Sequence, residues 1–227
     1  MIGGLQKVTL LDFPGKVACT VFLTGCNLRC PYCHNPELVF PQNNGKTVSE
    51  NELFEFLASR RGKLDGVCIT GGESTIHPEL PALIRRIRDK GFRIKLDSNG
   101  TVPEMLELLL REKLLDYAAM DIKNAPSRYA ETCGADVIEQ VKKSAALLKN
   151  SNIDYEFRTT VCHPFHSPEC MEEIGRWLQS AKRYYIQPFV DSGNLLGSGI
   201  SAMTKSELEA LLKAVKPYIP AAELRGV

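Results

Sequence analysis

Apolar and polar positions follow two rhythms along this chain. Short β-branched or apolar runs, read as strands, cover Lys16–Leu23, Gly66–Thr70, Arg93–Asp97, Asp116–Asp121, Tyr155–Val161 and Tyr184–Phe189. Between them apolar residues recur at helical spacing over Glu50–Ser59, Pro78–Lys90, Pro103–Glu112, Asp136–Lys149, Pro168–Ser180 and Lys205–Lys216. Ser49 with Glu52, and Thr204 with Glu207, have the three-residue spacing of a capping box and mark two helix starts. Strand and helix alternating in this way predict a parallel sheet with right-handed crossovers. A closed eight-unit barrel takes about 250 residues, and this chain has room for about six units. The expected fold is therefore α/β, a partial (β/α)6 TIM-like barrel with a parallel sheet, laterally open. Asp191-Ser192-Gly193-Asn194 is the one linker-like stretch, so residues 1–227 are read as a single domain.

Composition narrows the partners. Of the 227 residues 44% are apolar, enough for a sizeable core, and 28 Lys and Arg against 27 Asp and Glu leave a net charge of +1. Such a balance implies no nucleic-acid partner. The cluster Arg85-Arg86-Ile87-Arg88-Asp89-Lys90 reads as the solvated face of a helix, with a partner-binding patch as the alternative. Neither a signal-like N-terminus nor a run of about 20 apolar residues is seen, which predicts a cytoplasmic protein without a membrane partner. In a reducing compartment eight cysteines point to metal binding or catalysis before disulfides.

After the first predicted strand comes Thr24-Gly25-Cys26-Asn27-Leu28-Arg29-Cys30-Pro31-Tyr32-Cys33-His34-Asn35. Three thiolates spaced C-x3-C-x2-C can hold three irons of a [4Fe–4S] cubane and leave the fourth open to an external ligand. The spacing alone leaves other readings open. Cys30-Pro-Tyr-Cys33-His34 matches a haem-attachment pattern, and Cys30-Pro-Tyr-Cys33 matches a redox dithiol. Cys26, Cys30, Cys33 and His34 could bind structural zinc, or the thiols could simply be buried.

Reactive groups in a β/α barrel collect at the C-terminal strand ends. The second predicted strand ends in Thr70-Gly71-Gly72-Glu73, where glycines let backbone approach a ligand closely. The third ends in Asp97-Ser98-Asn99-Gly100, the fourth in Asp121-Ile122-Lys123, whose charges share one face of an extended segment, and the sixth in Gln187-Pro188-Phe189. Each alone could be an ordinary turn or an exposed ion pair.

Together, Cys26-x3-Cys30-x2-Cys33 and Gly71-Gly72-Glu73 resemble the radical S-adenosylmethionine superfamily nearly end to end. Asp12-Phe13-Pro14-Gly15, Cys33-His34-Asn35, Asp97-Ser98-Asn99-Gly100 and Met120-Asp121-Ile122-Lys123 resemble its glycyl-radical activating enzymes. The greatest similarity is to activases of anaerobic ribonucleoside-triphosphate reductase, followed by those of pyruvate formate-lyase. The resemblance implies an anaerobic oxidoreductase that cleaves S-adenosylmethionine reductively at a [4Fe–4S] cluster and forms a glycyl radical on a partner enzyme. A one-electron donor such as flavodoxin or ferredoxin would supply the electron. It also implies roles: Cys26, Cys30 and Cys33 as iron ligands, the Gly71-Gly72-Glu73 turn and Asp97 for the methionyl amine, and Lys123 for its carboxylate. Ser98 and Asn99 would lie near the ribose, and Tyr32, His34 and Gln187 near the adenine. Asp121 would hold a cation or order Lys123, and Asp12 would face the incoming glycyl loop. The resemblance calls for no catalytic group beyond the cluster ligands. Two positions depart from the family pattern: Ser74 follows Glu73, and Phe13 replaces the first glycine of Asp-Gly-Pro-Gly.

Cys162 and Cys170, with His163 and His166, could form a second metal site; Cys19 and Cys68 read as core thiols and Cys133 as a loop cysteine. Two rival functions remain: a radical enzyme acting on a small molecule, and a zinc-stabilised binding module.

Overall fold

The computed structural model describes residues 2–40, 47–191 and 193–227. One sheet holds β1 (Ile2–Thr9), β2 (Ala18–Leu23), β3 (Gly66–Gly71), β4 (Arg93–Ser98), β5 (Tyr117–Asp121), β6 (Asp154–Val161), β7 (Tyr184–Pro188) and β8 (Ala222–Leu224), in that spatial order. From β2 to β8 every neighbouring pair is parallel. β1 runs antiparallel to β2, with Ile2 opposite Leu23 and Thr9 opposite Ala18. β1 and β8 do not pair, so the barrel is open at the side.

Strands β2 to β7 are the six expected from the sequence, and β1 and β8 are additions. The helices are α1 (Pro36–Val39), α2 (Glu50–Ser59), α3 (Leu80–Arg88), α4 (Pro103–Arg111), α5 (Tyr129–Cys133), α6 (Ile138–Lys149), α7 (Pro168–Trp177) and α8 (Lys205–Val215). α3 starts two residues later than expected, because a 3-10 turn at Ser74–Ile76 precedes it and Pro81 occupies its first turn. Both capping boxes form: Ser49 and Thr204 each accept from the backbone of the glutamate three residues on, which returns the bond. Among the described residues no helix is long and apolar enough to cross a membrane.

Side chains alternate across each strand. Val67 and Ile69, Ile94 and Leu96, Ala118 and Met120, Tyr155 and Phe157, and Tyr184 and Ile186 join the apolar core beneath the helices. The helices meet them with residues at helical spacing, such as Leu83, Ile84 and Ile87 of α3 and Leu208, Leu211 and Val215 of α8. The intervening positions face the barrel interior and are largely polar: Cys68 and Thr70, Lys95 and Asp97, Asp121, then Glu156, Arg158 and Thr160.

Two cysteine expectations change here. Cys68 is buried as expected, but it lies on the interior face, 3.8 Å from both Lys95 Nζ and Asp97 Oδ1. Cys133 is no loop cysteine: it ends α5, fully buried, with its thiol donating to the Tyr129 carbonyl at 3.0 Å. Arg85, Arg86 and Arg88 form ion pairs with Glu112, Glu50 and Asp116, as a solvated helix face does.

At the floor of the barrel the Glu156 carboxylate, 1% exposed, accepts from Tyr117 Oη at 2.7 Å and from Arg225 at 2.7 and 3.0 Å. The Arg225 guanidinium lies 3.4 Å from the centre of the Tyr185 ring. Burial alone would raise the Glu156 carboxyl, yet the hydrogen bonds from Arg225 and Tyr117 hold it below its ordinary value. A depressed folded-state value gives stability that is complete above the ordinary carboxylate range and is lost as pH falls through the depressed value. Glu156→Gln is expected to lower stability in urea at neutral pH by about 2 kcal/mol. It is also expected to flatten the acid side of the stability–pH curve; an unchanged acid side would remove Glu156 from that role.

Candidate active site

The segment that joins β2 to α1 carries Cys26, Cys30 and Cys33 and has no regular structure of its own. It is held by backbone and side-chain bonds to several strand ends. The Gly25 N–H donates to Leu38 O at 2.6 Å, and the Gly25 carbonyl accepts from Glu73 N at 2.8 Å. Arg29 N donates to Cys133 O at 2.9 Å, and Gly197 N to Pro31 O at 2.9 Å. Tyr32 is buried beside Phe165 and His166, and its hydroxyl donates to Lys123 O at 3.2 Å. Asn27 donates to Thr101 at 2.7 Å and accepts from Asn99 at 3.1 Å.

Two glycines make this fit possible. Gly71 has φ +135, and a Cβ there would stand 2.1 Å from Leu23 O. A Cβ on Gly72 would stand 2.0 Å from Gly25 O and 3.2 Å from Cys26 Cβ. The β3 end therefore presses directly against the cysteine loop, and no side chain fits between them.

One cavity gathers most of the residues that the sequence singled out. Cys26, Cys30, Tyr32, Cys33 and His34 line one wall; Gly71, Gly72, Glu73, Asp97, Ser98, Asn99, Asp121 and Lys123 line the rest. Gln187 and Asp12 are not among the lining residues. Gln187 lies on β7 next to Thr160, which does line the cavity. Asp12 sits at the opposite end of the barrel, in the β1–β2 connection, where it accepts from Thr20 at 2.5 Å.

Several side chains have partners that the sequence did not suggest. The Glu73 carboxylate is buried and accepts from Thr75 N at 3.0 Å, Thr75 Oγ1 at 2.5 Å, Ser98 Oγ at 2.8 Å and Asn99 N at 2.6 Å. It ties the β3 end to the β4 end, so only its backbone faces a ligand. Burial raises its carboxyl despite these bonds. Asp97 pairs with Lys95 and, at 3.3 Å, with Arg158; Asp121 pairs with Arg158 at 2.8 Å and Lys123 at 3.1 Å. The cations at Asp121 are thus the chain's own. Burial alone would raise the Asp121 carboxyl, but Arg158 and Lys123 hold it well below the usual range. Burial works against the Lys123 charge, and Asp121 more than restores it. His34 stacks on Phe189 with centroids 5.4 Å apart, and burial together with Lys123 pushes it below its ordinary value. Lys95 and Arg158 were missed because a charge in mid-strand reads as a solvent-facing position. Their signal was the alternation Lys95-Leu96-Asp97 and Glu156-Phe157-Arg158, with charge on the interior face.

The donor chemistry fits an iron–sulfur cubane. Burial pushes the Cys26 thiol up and the Cys30 thiol to about 12, so both need bound cations to become thiolates. Leu28 N lies 3.4 Å from Cys26 Sγ, a backbone donor to the sulfur. Among the described residues no three His, Cys, Asp or Glu side chains converge as a single metal ion would require. A cubane does not require it, because each thiolate binds a different corner. The suggested second site disperses: His163 pairs with Glu207 at 3.1 Å, and His166 contacts the carbonyls of Cys162 and Lys123. Cys170 lies near Phe165 O and Arg128.

Replacing Gly72 by Ala forces a backbone clash costing about 1–3 kcal/mol. The variant is expected to fold, yet hold far less iron and sulfide after anaerobic reconstitution. Gly62→Ala, at φ +71 with open space around it, serves as the strained but remote control.

Comparison with known proteins agrees with this geometry. The family model of the radical S-adenosylmethionine superfamily matches residues 20–178. A protein of Methanocaldococcus jannaschii, assigned by its name to the glycyl-radical enzyme activating enzymes, is 32% identical over 100% of this chain and 96% of its own length. The pyruvate formate-lyase-activating enzyme of Clostridium pasteurianum is 31% identical over 54% of this chain and 52% of its own. Among solved structures, Streptococcus suis SuiB bound to precursor peptide SuiA superposes with a TM-score of 0.71 at 14% identity, covering 91% of this chain and 48% of that one. That likeness shows a shared fold. Superfamily members work with a [4Fe–4S] cluster and S-adenosylmethionine, and this chain belongs to the radical S-adenosylmethionine superfamily, among its glycyl-radical activating enzymes.

Proposed function

We propose that this chain, as a single cytoplasmic domain, forms the glycyl radical of an anaerobic ribonucleoside-triphosphate reductase. The observation that carries the reading is the shared cavity: three cysteines of one loop face Gly72, Asp97, Asn99 and Lys123 at the strand ends of an open barrel. Cys26, Cys30 and Cys33 hold the cluster. When bound, the cluster and S-adenosylmethionine together supply one-electron cleavage of the sulfonium and removal of a hydrogen atom from the partner's glycine Cα.

The chain's own groups bind and orient. The N–H groups of Gly72 and Glu73 donate to Leu23 O and Gly25 O, so a methionyl ammonium meets carbonyl oxygens at this turn and the Asp97 carboxylate beyond it. Lys123, opposite, receives the methionyl carboxylate. Ser98 and Asn99 face the ribose, and the Tyr32–His34 backbone with Gln187 flanks the adenine. The buried walls formed by Leu28, Tyr32 and Val39 keep water from the reacting carbon. The open side between β1 and β8 admits a peptide loop, and Asp12, in the β1–β2 connection at the other end of the barrel, contacts the part of that loop that stays outside the cavity. A flavodoxin or ferredoxin supplies the electron.

Three measurements test this reading. Cys30→Ala is expected to bind no cluster and cleave no S-adenosylmethionine while keeping a native thermal transition. A protein that takes up one zinc ion and no iron or sulfide would instead be a zinc-stabilised module. Lys123→Ala is expected to raise the KM for S-adenosylmethionine about 10- to 100-fold, in line with the loss of a partly buried charge pair. Mixed anaerobically with the reductase, an electron donor and S-adenosylmethionine, the enzyme is expected to produce a glycine-centred doublet in electron paramagnetic resonance. A doublet on pyruvate formate-lyase alone would move the partner there. Cofactor cleavage with no doublet on either would favour a small-molecule substrate.

A further inference from the structure

Asp97, next to last in β4, and Asp121, last in β5, lie on neighbouring strands about 4.8 Å apart, in diagonal register: Asp97 is opposite Ala119, two residues before Asp121. Two carboxylates so placed repel, and in a partly dry interior the repulsion is large. Arg158 of β6 stands between them. Its Nε and NH2 donate to Asp121 Oδ1 at 3.0 and 2.8 Å, and its NH1 and NH2 approach Asp97 Oδ2 at 3.3 Å. The outer oxygens are taken from the far sides: Lys95 pairs with Asp97 Oδ1, and Lys123 with Asp121 Oδ2. Five side chains, four from three adjacent strands and Lys123 from the segment just after β5, thus form one line of alternating charge: Lys95, Asp97, Arg158, Asp121, Lys123.

Asp97, Asp121 and Lys123 line the cavity, whereas Arg158 is not among its lining residues and is 16% exposed. Arg158 therefore reaches a ligand only through its neighbours. We propose that Arg158 is a positioning residue of the S-adenosylmethionine site, its planar fork fixing the separation of Asp97 and Asp121. Asp97 is thereby presented to the methionyl ammonium and Lys123 to the carboxylate. A guanidinium suits the task because its fixed donors reach two carboxylates at once, which the single ammonium of lysine does not. The inference rests on the cofactor contacts proposed above.

The test uses the cluster-loaded protein. S-adenosylmethionine affinity is measured by anaerobic calorimetry, and the reduced cluster's paramagnetic spectrum is recorded with and without S-adenosylmethionine. Arg158→Gln is expected to keep its iron and sulfide while binding S-adenosylmethionine about 10- to 100-fold more weakly, as loss of an outer-layer partner does. The spectral change on S-adenosylmethionine addition should shrink in parallel. Arg158→Lys should fall between wild type and Arg158→Gln, and added methylguanidinium should restore affinity to Arg158→Ala. Lys123→Ala is the reference. If it loses affinity while Arg158→Gln binds as wild type, the positioning role is overturned and the cofactor reading stands. If neither loses affinity, the cofactor reading itself fails. Should Arg158→Gln not fold, wild-type affinity in Arg158→Lys, or no rescue of folded Arg158→Ala, overturns the proposal.

Discussion

Each strand of this sheet must satisfy two unlike surroundings at once. One face meets the helices and is apolar, and the other meets a barrel interior filled with ionised groups. Buried charge is costly unless paired, so the interior can exist only as a balanced network. Glu156 with Arg225 and Tyr117 closes the floor, and the line from Lys95 to Lys123 occupies the upper part. The cavity depends on that balance, because Asp97, Asp121 and Lys123, which line it, are members of the same network. The charges lining the cavity are thus ordered by one another, which leaves little reorganisation for any group that enters.

The cysteine loop depends on the sheet in a different way. It lacks repeating hydrogen bonds, and its shape comes from contacts with the ends of β3, α5 and the segment after β5. Gly71 and Gly72 matter because they have no side chains: the loop backbone lies where a Cβ would be. Tyr32 joins the loop to Lys123 through the carbonyl of the same residue whose ammonium pairs with Asp121. The cysteine loop and the Lys123–Asp121 pair are therefore placed by one set of bonds. Displacing either moves the other.

Much of this was legible in the sequence, for physical reasons. Strands β2 to β7 announce themselves through short apolar or alternating runs between helical patterns, and α2 and α8 through their capping boxes. β1 escaped because Gly3 and Gly4 interrupt its pattern, and β8 because three residues are too few to show a period. The short helices α1 and α5 are held by tertiary contacts rather than by propensity, so no local signal marks them. The glycine turn, the aspartates and Lys123 could be read because they cluster at strand ends. For Arg158 and Lys95 the alternation of charge and apolar residues marks the interior face, but their partners do not show, since a single sequence does not reveal the register between strands. The same limit applies to Asp12, whose neighbour Thr20 lies across a turn at the far end of the barrel.

The unclosed side has a cost in a different currency, that of colloidal stability. A sealed barrel has no strand edges, whereas this sheet ends in two, and an exposed edge is a template for pairing with another chain. The chain limits that hazard. β8 is only three residues long, and β1 carries two glycines and Lys7, which weaken it as a template. Yet Val8 near the end of β1 and Leu10 and Leu11 just beyond it stand exposed, at 52, 70 and 89% of their full surface. The unpaired edge and these exposed apolar side chains thus favour self-association when the chain is concentrated without a partner.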